Sequence, residues 1–427
     1  MRNIRYSLLI ICLSLTVLLC GCETTYIISS DEVIISVADS DASDTSGDLV
    51  QNEQDASSKA ESDLNTSTPI ESDSPQNPIQ TDVSSIEQNT SSMVETSIEK
   101  SKNNVEFIGR FSTINTGIYQ FEWSGSTITA GFEGTEIGVV LKTLRCGPYG
   151  DVDYFNVTID NGKPFILEIK KGTDKYQLAS GLKNGYHTVK LTKRTESQFG
   201  SLIQFEGFDY GSGKAAPAPA RKTRRIEIYG DSVSAGYGNE GTGEGFRLKE
   251  ENADLTYCAL AAEALNAEYT DIALSGHGCH ISLSQSTTEV VPKYFNRALY
   301  KTSTLYRFNQ PDPDVVIINL GTNDFAINVS EASYFSSYMD FIAIIRKKYP
   351  NSYIVCTTCG GTYKALNTLQ NVVEKRKSQF NDNNIGVFAA VIEDTNGAVG
   401  ADGHPSVYGH QQLSEQLIEY LRKVMNW

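Results

Sequence analysis

The sequence has 427 residues and a formal net charge of −16 at pH 7, a length sufficient for two or three domains. The charge is unevenly distributed, since residues 23–104 hold 17 Asp and Glu against three Lys, whereas residues 105–427 hold 35 Asp and Glu against 31 Lys and Arg. No basic patch of the kind that a nucleic-acid-binding domain requires is visible, and the composition therefore excludes a nucleic-acid partner.

The N-terminus has the pattern of a secretory signal. Arg2 and Arg5 precede an apolar run from Leu8 to Leu19, which is short for a membrane span. The run ends in Leu19-Cys20-Gly21-Cys22, which resembles a bacterial lipobox and implies Cys22 as the lipidated first residue of the mature protein. We therefore expect residues 1–22 to be a lipoprotein signal peptide and the protein to be extracellular, held at the bacterial cell-surface membrane by a lipid anchor. The alternative is an ordinary signal peptide cleaved nearby.

The cysteines do not form a disulfide framework. Cys12 and Cys20 would be removed with the signal peptide, and Cys22 would carry lipid. Five cysteines then remain, which is an odd number. Cys356 and Cys359 have redox spacing, but they follow a predicted strand, where cysteines also occur as small buried residues. A zinc site would need two further ligands that the sequence does not supply. We expect no metal and no cofactor.

Residues 23–104 are rich in Ser, Thr, Asp, Glu, Asn and Gln and have few aromatic residues. Such a segment cannot bury enough apolar area to offset its ordering entropy, and it is therefore predicted to be a disordered acidic linker. Its root-mean-square reach would be on the order of 50 Å.

Residues 105–212 contain many short alternating strands, which favour a β-sandwich of the jelly-roll type. The predicted strands are 117–123, 138–142, 154–159, 165–169 and 187–192, and Asp160-Asn161-Gly162 predicts a hairpin turn between two of them. Trp123 is interpreted as a core residue rather than as part of a sugar-binding platform.

Residues 213–223 are predicted to form a stiff Ala- and Pro-containing linker, and from 224 to 427 predicted strands alternate with predicted helices. This alternation predicts a three-layer doubly wound α/β fold with a parallel sheet, similar to that of flavodoxin. The predicted strands are 225–230, 268–273, 315–320, 352–356 and 387–391, and the helices with predicted bounds are 254–266, 331–349 and 406–424.

Four polar or glycine positions follow the ends of these elements: Ser232, Gly276, Asn323 and His404. The carboxyl ends of parallel strands share one edge of a sheet, so these residues can converge there. In the resulting hypothesis, Ser232 attacks an acyl carbon and His404 takes its proton. The backbone N–H groups of Ser232 and Gly276 and the amide of Asn323 would form an oxyanion hole.

Four short sequence blocks within residues 224–427 resemble those of the SGNH, or GDSL-type, hydrolase superfamily. They are Gly-Asp-Ser232, Ser-Gly276-His-Gly, Gly-Thr-Asn323-Asp and His404-Pro. From residue 105 onward the chain is similar to carbohydrate esterase family two. The similarity lies in the predicted jelly roll, the sequence segment at 185–193 and the predicted helix at 255–265. That resemblance implies removal of acetyl groups from xylan and other plant polysaccharides without a metal.

The chain departs from the superfamily just before the histidine. The acidic partner usually stands three residues earlier, where this chain has Ala401, and Asp402 stands two residues earlier. Some family-two members resemble this arrangement and rely on a Ser–His dyad, so Asp402 is either a third catalytic residue or an anchor of the loop backbone. Gly403 replaces an aromatic residue that often lines the cleft in that family.

The other histidines are weaker candidates for the general base. His277 and His280 lie in the loop after Gly276, His410 falls in the last helix and is interpreted as structural, and His187 belongs to the sandwich. Asp231 and Asp324 flank the candidate site residues and are interpreted as loop anchors.

The sequence thus predicts a carbohydrate O-acetyl esterase that acts on xylan or related hemicellulose through an acetyl-enzyme on Ser232. Its partner would be an acetylated polysaccharide or oligosaccharide. The alternatives are an esterase for O-acetylated cell-wall glycan or for lipid acyl chains, and a non-catalytic glycan-binding protein of the cell surface.

Overall fold

The computed structural model describes residues 104–359 and 363–427. The predicted signal peptide, Cys22 and the acidic linker lie outside this range. No helix among the described residues has the length and apolar character needed to cross a membrane.

The N-terminal part is a sandwich of two antiparallel sheets. One sheet has the order β1-β4-β9-β6-β7, with β11 also paired to β4, and the other has the order β2-β3-β10-β5-β8. Alternate residues such as Ile128, Ala130 and Phe132 point into the core between the sheets. The strands are β1 Val105–Ile108, β2 Ser112–Asn115, β3 Ile118–Phe121, β4 Thr127–Gly134, β5 Ile137–Arg145, β6 Val152–Ile159, β7 Phe165–Lys170, β8 Lys175–Ala179, β9 Gly185–Lys193, β10 Leu202–Asp209 and β11 Lys214–Ala216.

The predicted hairpin turn between β6 and β7 is confirmed. Asp160 and Asn161 have φ angles of 53° and 58°, and the N–H of Gly162 donates to the carbonyl of Ile159 at 2.8 Å. Positive φ at both central residues is the geometry that suits the twist of a two-residue hairpin.

The C-terminal part is built on a parallel sheet of order β13-β12-β14-β15-β16, which is the flavodoxin-like 2-1-3-4-5 order. Its strands are β12 Arg224–Gly230, β13 Ala267–Ala273, β14 Val315–Asn319, β15 Tyr353–Thr357 and β16 Ile385–Val387. The chain winds in opposite directions from β12, which therefore lies at the topological switch point where such sheets bind ligands.

Seven α-helices complete the described part of this domain: α1 Ser232–Ala235, α2 Tyr257–Ala264, α3 Val291–Tyr294, α4 Thr322–Ala326, α5 Glu331–Lys348, α6 Tyr363–Phe380 and α7 Val407–Met425. Helices α5 and α6 pack on one face of the sheet, and α2 and α7 pack on the other. Strand β14 shows why both faces are apolar, since Val316 and Ile318 point to the first layer and Val315 and Ile317 to the second. The predicted three-layer α/β fold preceded by a β-sandwich is confirmed.

In the α/β domain the bounds of two predicted elements were wrong. Helix α2 begins at Tyr257 because Thr256 caps it, its side-chain oxygen accepting from the N–H of Ala259, and Ala253–Leu255 form a separate 3₁₀ turn. The last strand is Ile385–Val387 rather than 387–391. Gly386 interrupts the apolar pattern by which this strand could be predicted. A Cβ at this position would lie 2.3 Å from the hydroxyl of Tyr420, so the close packing requires glycine.

The two domains share a buried boundary. Trp123 of the sandwich is fully buried within the core cluster of the α/β domain, stacks on Tyr294, and donates its indole N–H to the carbonyl of Ala298 at 2.9 Å. The prediction that Trp123 is a core residue is therefore correct, but the core is that of the neighbouring domain. Arg110, also from the sandwich, is fully buried and donates to the carboxylate of Glu227 on β12 at 2.9 Å.

Candidate active site

Ser232 lies at the start of α1, immediately after β12, where the chain turns sharply. Gly230 permits this turn, because a Cβ there would lie 2.2 Å from the Ser234 hydroxyl. Asp231 caps the helix, its carboxylate accepting from the N–H of Val233 at 3.1 Å. Ser232 is 8% exposed. Its hydroxyl is therefore held in one place and remains open to a small reactant.

His404 comes from the loop that precedes α7. A tight turn forms here, with φ angles of 50° at Asp402 and 76° at Gly403 and a hydrogen bond from the N–H of His404 to the carbonyl of Ala401 at 3.1 Å. Backbone hydrogen bonds from Ala401 to Gly238 and from Asp402 to Gly243 tie the turn to the glycine-rich loop after α1. This pairing of the two loops brings His404 next to Ser232, which lies 172 positions earlier in the chain.

The Nε2 atom of His404 lies 2.8 Å from the Oγ atom of Ser232. The ring lies over Tyr237, with 4.4 Å between the ring centroids. Burial lowers the pKa of His404, and the backbone carbonyls of Asp402 and Ala401 partly offset that effect. The imidazole is therefore neutral at pH 7 and can accept the serine proton.

Asp402 makes no side-chain hydrogen bond to the His404 ring among the described residues, although the alternative of a third catalytic residue would require one. Its exposed carboxylate accepts from the N–H groups of Gly245 and Phe246, at 2.8 and 3.1 Å, and from the Tyr237 hydroxyl at 2.9 Å. These contacts agree with the interpretation of Asp402 as an anchor of the loop backbone. The Nδ1 atom of His404 makes no hydrogen bond of good geometry among the described residues, although the backbone carbonyls of Asp402 and Ala401 lie close enough to raise the pKa of the ring.

Ala401, at the position of the usual acidic partner, is fully buried. A Cβ added to Gly238 would lie 2.5 Å from the Ala401 Cβ, and one added to Gly241 would lie 3.1 Å from it. The glycine-rich loop therefore passes directly over position 401 and leaves no space for a larger side chain there.

The three predicted oxyanion donors belong to segments that are joined by hydrogen bonds. The N–H of Leu274, just before the Gly276 loop, donates to Gly230 at 3.2 Å, and the amide of Asn323 donates to the carbonyl of His277 at 2.8 Å. The N–H groups of Ser232 and Gly276 donate to no acceptor among the described residues. They are therefore available to a reacting oxygen, together with the second N–H of the Asn323 amide.

Gly276 has a φ of 78°, in the left-handed region that favours glycine. A Cβ there would meet nothing closer than 3.8 Å, so the backbone conformation, rather than crowding, requires glycine at this position.

Asp324 anchors the loop that contains Gly276. Its buried carboxylate accepts from the N–H groups of Cys279, His280 and Ile281 at 2.9, 2.7 and 3.0 Å. Asp231 is also buried, and this raises its pKa to about 7. Both carboxyls make the backbone contacts that the loop-anchor interpretation expects.

The remaining histidines have other partners. The Nδ1 atom of His410 accepts from the N–H of Tyr257 at 3.1 Å, and burial lowers the pKa of His410 to about 3. His280 lies 2.9 Å from the Ser337 hydroxyl, and His187 lies 2.5 Å from a carboxylate oxygen of Asp160. None of these three rings contacts Ser232 among the described residues.

Cys356 and Cys359 are buried, and neither forms a disulfide bond. Burial raises the pKa of the Cys356 thiol to about 12 and that of Cys359 to about 11. Reactive thiols need a lowered pKa and access to solvent, so this environment favours the buried-residue interpretation. No group of three His, Cys, Asp or Glu side chains in residues 104–359 and 363–427 is arranged to hold a metal ion.

Sequence reasoning missed the part of the sandwich that reaches the site. Glu196 and Gln198 contact Ser275 and His277, on either side of Gly276, and Tyr149 and Phe199 pack against Phe246. These residues lie in loops between strands, where no pattern of spacing indicates a contact with another domain.

A row of aromatic rings extends from His404 to the surface. Tyr237 stacks on Phe246 with 4.1 Å between centroids, and Phe246 in turn contacts Phe199 and Tyr149 at 5.3 and 5.1 Å. Tyr149 is 45% exposed. The serine is thus bordered on one side by an apolar wall to which both domains contribute.

Comparison with known proteins gives two adjacent family matches. Residues 107–219 match the model of the carbohydrate esterase 2 N-terminal domain, and residues 228–412 match that of the GDSL-like lipase/acylhydrolase family.

Among curated proteins, the chain is similar to the cellulase/esterase CelE of Acetivibrio thermocellus, with 32% identity over 328 residues. The alignment covers 75% of this chain but only 39% of CelE. An acetylxylan esterase/glucomannan deacetylase of Cellvibrio japonicus is 25% identical over 314 residues, which cover 71% of this chain and 86% of that protein.

Among solved structures, two of a family two carbohydrate esterase from Clostridium thermocellum superpose on this chain. The one described as a complex with cellohexaose has a TM-score of 0.69 and 31% identity, and the active-site mutant has a TM-score of 0.71 and 30% identity. Each alignment covers 76% of this chain and 99% of the other. The chain therefore belongs to carbohydrate esterase family two, with an SGNH-type catalytic fold behind an N-terminal β-sandwich.

Proposed function

We propose that this protein is a carbohydrate O-acetyl esterase that hydrolyses acetyl esters on xylan or a related hemicellulose. The observation that carries the proposal is the 2.8 Å contact between the His404 Nε2 and the Ser232 Oγ, in a fold where the N–H groups of Ser232 and Gly276 donate to no acceptor among the described residues. Relatives named acetylxylan esterase support the substrate class.

In the proposed mechanism, Ser232 attacks the acetyl carbonyl carbon while His404 accepts the hydroxyl proton. The oxyanion accepts hydrogen bonds from the N–H groups of Ser232 and Gly276 and from the Asn323 amide. His404 then protonates the departing sugar oxygen, which leaves an acetyl group on Ser232. A water molecule, deprotonated by His404, attacks this ester and releases acetate and the free serine.

The aromatic row from Tyr237 to Tyr149 supports a carbohydrate substrate. Sites for organic ligands are lined mainly by apolar and aromatic side chains with a few polar groups that fix orientation. The loop at 242–245, directly before Phe246, is polar and exposed, which disfavours a continuous apolar groove for a long acyl chain.

The test is acetate release by the purified protein from a panel of acetylated polysaccharides, with Ser232→Ala as the matched blank. Acetylated xylan or glucomannan should release acetate with the wild type and none with the variant. Hydrolysis of 4-nitrophenyl esters should be faster with acetyl than with long acyl chains. Faster hydrolysis of long-chain esters, or no acetate from any polysaccharide, would overturn the proposal.

We expect Asp402→Ala to reduce kcat by about tenfold or less, because its carboxylate holds Tyr237 and the loop rather than the His404 ring. Loss of the acid from a Ser-His-Asp triad costs about 10⁴-fold in kcat, so the two arrangements are easily separated. The measurement is kcat for 4-nitrophenyl acetate, with Asp394→Ala as the control, since Asp394 is an exposed carboxylate of the same connection that accepts from the Tyr408 hydroxyl. A loss near 10⁴-fold would contradict the dyad.

The pH dependence follows from the lowered pKa of His404. Since only the neutral ring can act as a base, kcat/KM should fall with decreasing pH along a limb whose midpoint lies below 6.5. Initial rates on 4-nitrophenyl acetate between pH 4 and 8 test this, with circular dichroism recorded at each pH to exclude unfolding. A midpoint above 6.5 would show that His404 is not held in its neutral form.

We also propose that Cys22 carries a lipid that holds the enzyme at the bacterial cell surface, with residues 23–104 as its tether. The support is the Leu19-Cys20-Gly21-Cys22 pattern after the apolar run. In a bacterial host, the wild type should fractionate with membranes and Cys22→Ala should be released. Equal membrane association of the two proteins would argue against the anchor.

A further inference from the structure

A segment of the sandwich, residues 194–199, enters the catalytic domain directly after β9. Its first four residues, from Arg194 to Ser197, are each no more than 1% exposed. The carbonyl of Arg194 accepts from the N–H of Ala253, and Phe199 packs against Tyr237 and Phe246. The 194–199 segment therefore contacts the catalytic domain at both of its ends.

Glu196 contacts the residue next to a candidate oxyanion donor. Its carboxylate accepts from the backbone N–H of Ser275 at 2.8 Å and, through its other oxygen, from the Ser275 hydroxyl. Ser275 shares a peptide bond with Gly276, so the carboxylate fixes one side of the backbone that carries the Gly276 N–H. The carbonyl of Gly276 is fixed on the other side by the N–H of Leu283 at 2.8 Å.

Gln198 contacts the residue on the other side of Gly276. Its side-chain oxygen lies 3.0 Å from the Nε2 atom of His277. The carbonyl of His277 accepts from the Asn323 amide at 2.8 Å. One sandwich side chain is therefore linked, through a single residue, to the third candidate donor.

A purely structural role does not account for these contacts. Arg110 and Trp123 already join the two domains with buried hydrogen bonds, to Glu227 and to the carbonyl of Ala298, and neither bond is to the Gly276 loop. A fully buried carboxyl is costly to keep, and burial raises the pKa of Glu196 to about 7. The carboxyl of Glu251 is also fully buried, and the nearby charge of Glu196 helps to raise its pKa.

We propose that Glu196 and Gln198 are positioning residues through which the sandwich holds the oxyanion donors of the catalytic domain in place. Glu196 acts on the Gly276 N–H through Ser275, and Gln198 acts on the Asn323 amide through His277. The inference rests on the proposed esterase function. It assigns the β-sandwich a part in the reaction itself, separate from any binding of glycan.

The test compares Glu196→Ala with Glu196→Gln in the full chain, using 4-nitrophenyl acetate. Complete removal of an oxyanion donor costs about 100–1,000-fold in kcat, and displacement of one should cost less, so we expect Glu196→Ala to lower kcat by about 10–100-fold with KM little changed. Glutamine can accept from the Ser275 N–H and donate to its hydroxyl, which can also act as an acceptor. Glu196→Gln should therefore keep kcat within about threefold of the wild type.

Glu106→Ala is the matched control, because Glu106 is another sandwich glutamate whose carboxylate pairs across the boundary, with Arg221 at 3.2 Å. Arg221 also pairs with Glu268 near the start of β13, at the end of the sheet away from Ser232. This variant should leave kcat within about twofold of the wild type. Thermal unfolding of each variant separates loss of fold from loss of rate.

Gln198→Ala gives an independent test if Glu196→Ala does not fold, since Gln198 is only half-buried. A fall in kcat of about 3–10-fold with a normal unfolding temperature supports the proposal. Wild-type kcat in Gln198→Ala, or an effect of Glu196→Ala no larger than that of Glu106→Ala, overturns it. The synthetic ester keeps this result separate from the polysaccharide assay, because failure on polysaccharide alone would overturn only the proposed substrate.

Discussion

Replacement of His404 by alanine is expected to reduce kcat by about 10⁴- to 10⁶-fold, the loss seen when the general base of a serine hydrolase is removed. No other histidine ring contacts Ser232 among the described residues, so none can replace it. The serine hydroxyl would then have to react without a base, and both formation and breakdown of the acetyl-enzyme would slow. The measurement is kcat on 4-nitrophenyl acetate, together with the thermal unfolding temperature.

His280→Ala is a matched control for this change. The His280 ring lies in the Gly276 loop, but its Nδ1 contacts the Ser337 hydroxyl at 2.9 Å rather than the catalytic serine. We expect its kcat to stay within about threefold of the wild type, as for a side chain outside the reaction. More than one per cent of wild-type activity in a folded His404→Ala protein would contradict the role given to His404.

Asn323→Ala is expected to lower kcat by about 100–1,000-fold with a smaller change in KM, because an oxyanion donor acts mainly in the transition state. The amide holds the carbonyl of His277 with one N–H, and the second remains for the reacting oxygen. The variant therefore loses a direct donor and also loosens the loop that carries Gly276. Steady-state kinetics on 4-nitrophenyl acetate and on acetylated xylan give the two constants separately.

Asn323→Asp provides the matched comparison, because it keeps the size of the side chain and replaces the donor by a carboxylate. A negative charge beside a developing oxyanion should reduce kcat at least as much as alanine does. Wild-type activity in Asn323→Asp would exclude the amide as a donor.

The architecture of the catalytic domain could be predicted because predicted strands alternate with segments of helical periodicity and because β14 is a continuous run of apolar residues up to Asn319. Once a parallel sheet is inferred, Ser232, Gly276 and Asn323 must lie near one edge, since each follows the carboxyl end of a strand. The strand at 385–387 was misplaced because Gly386 interrupts the pattern, and its small size is explained only by contacts with Tyr420 and Tyr353.

The contacts of Asp402 could not be predicted from its position in the chain. Sequence spacing places it two residues before His404, but the left-handed φ of 50° at Asp402 turns its side chain to the glycine-rich loop. The Glu196 contacts were missed for a related reason. They depend on how two separate domains pack, and neither strand periodicity nor turn chemistry carries that information.

The burial of Trp123 has a consequence for the exchange of domains. A domain can be replaced by an unrelated one without damage only when each of the two keeps its own interior. Here the largest hydrophobic side chain of one domain fills the interior of the next and bonds to the carbonyl of Ala298. Exchange of this sandwich for a foreign one would leave an indole-sized void and an orphaned acceptor behind the catalytic sheet, so the sandwich and the catalytic domain are not interchangeable parts.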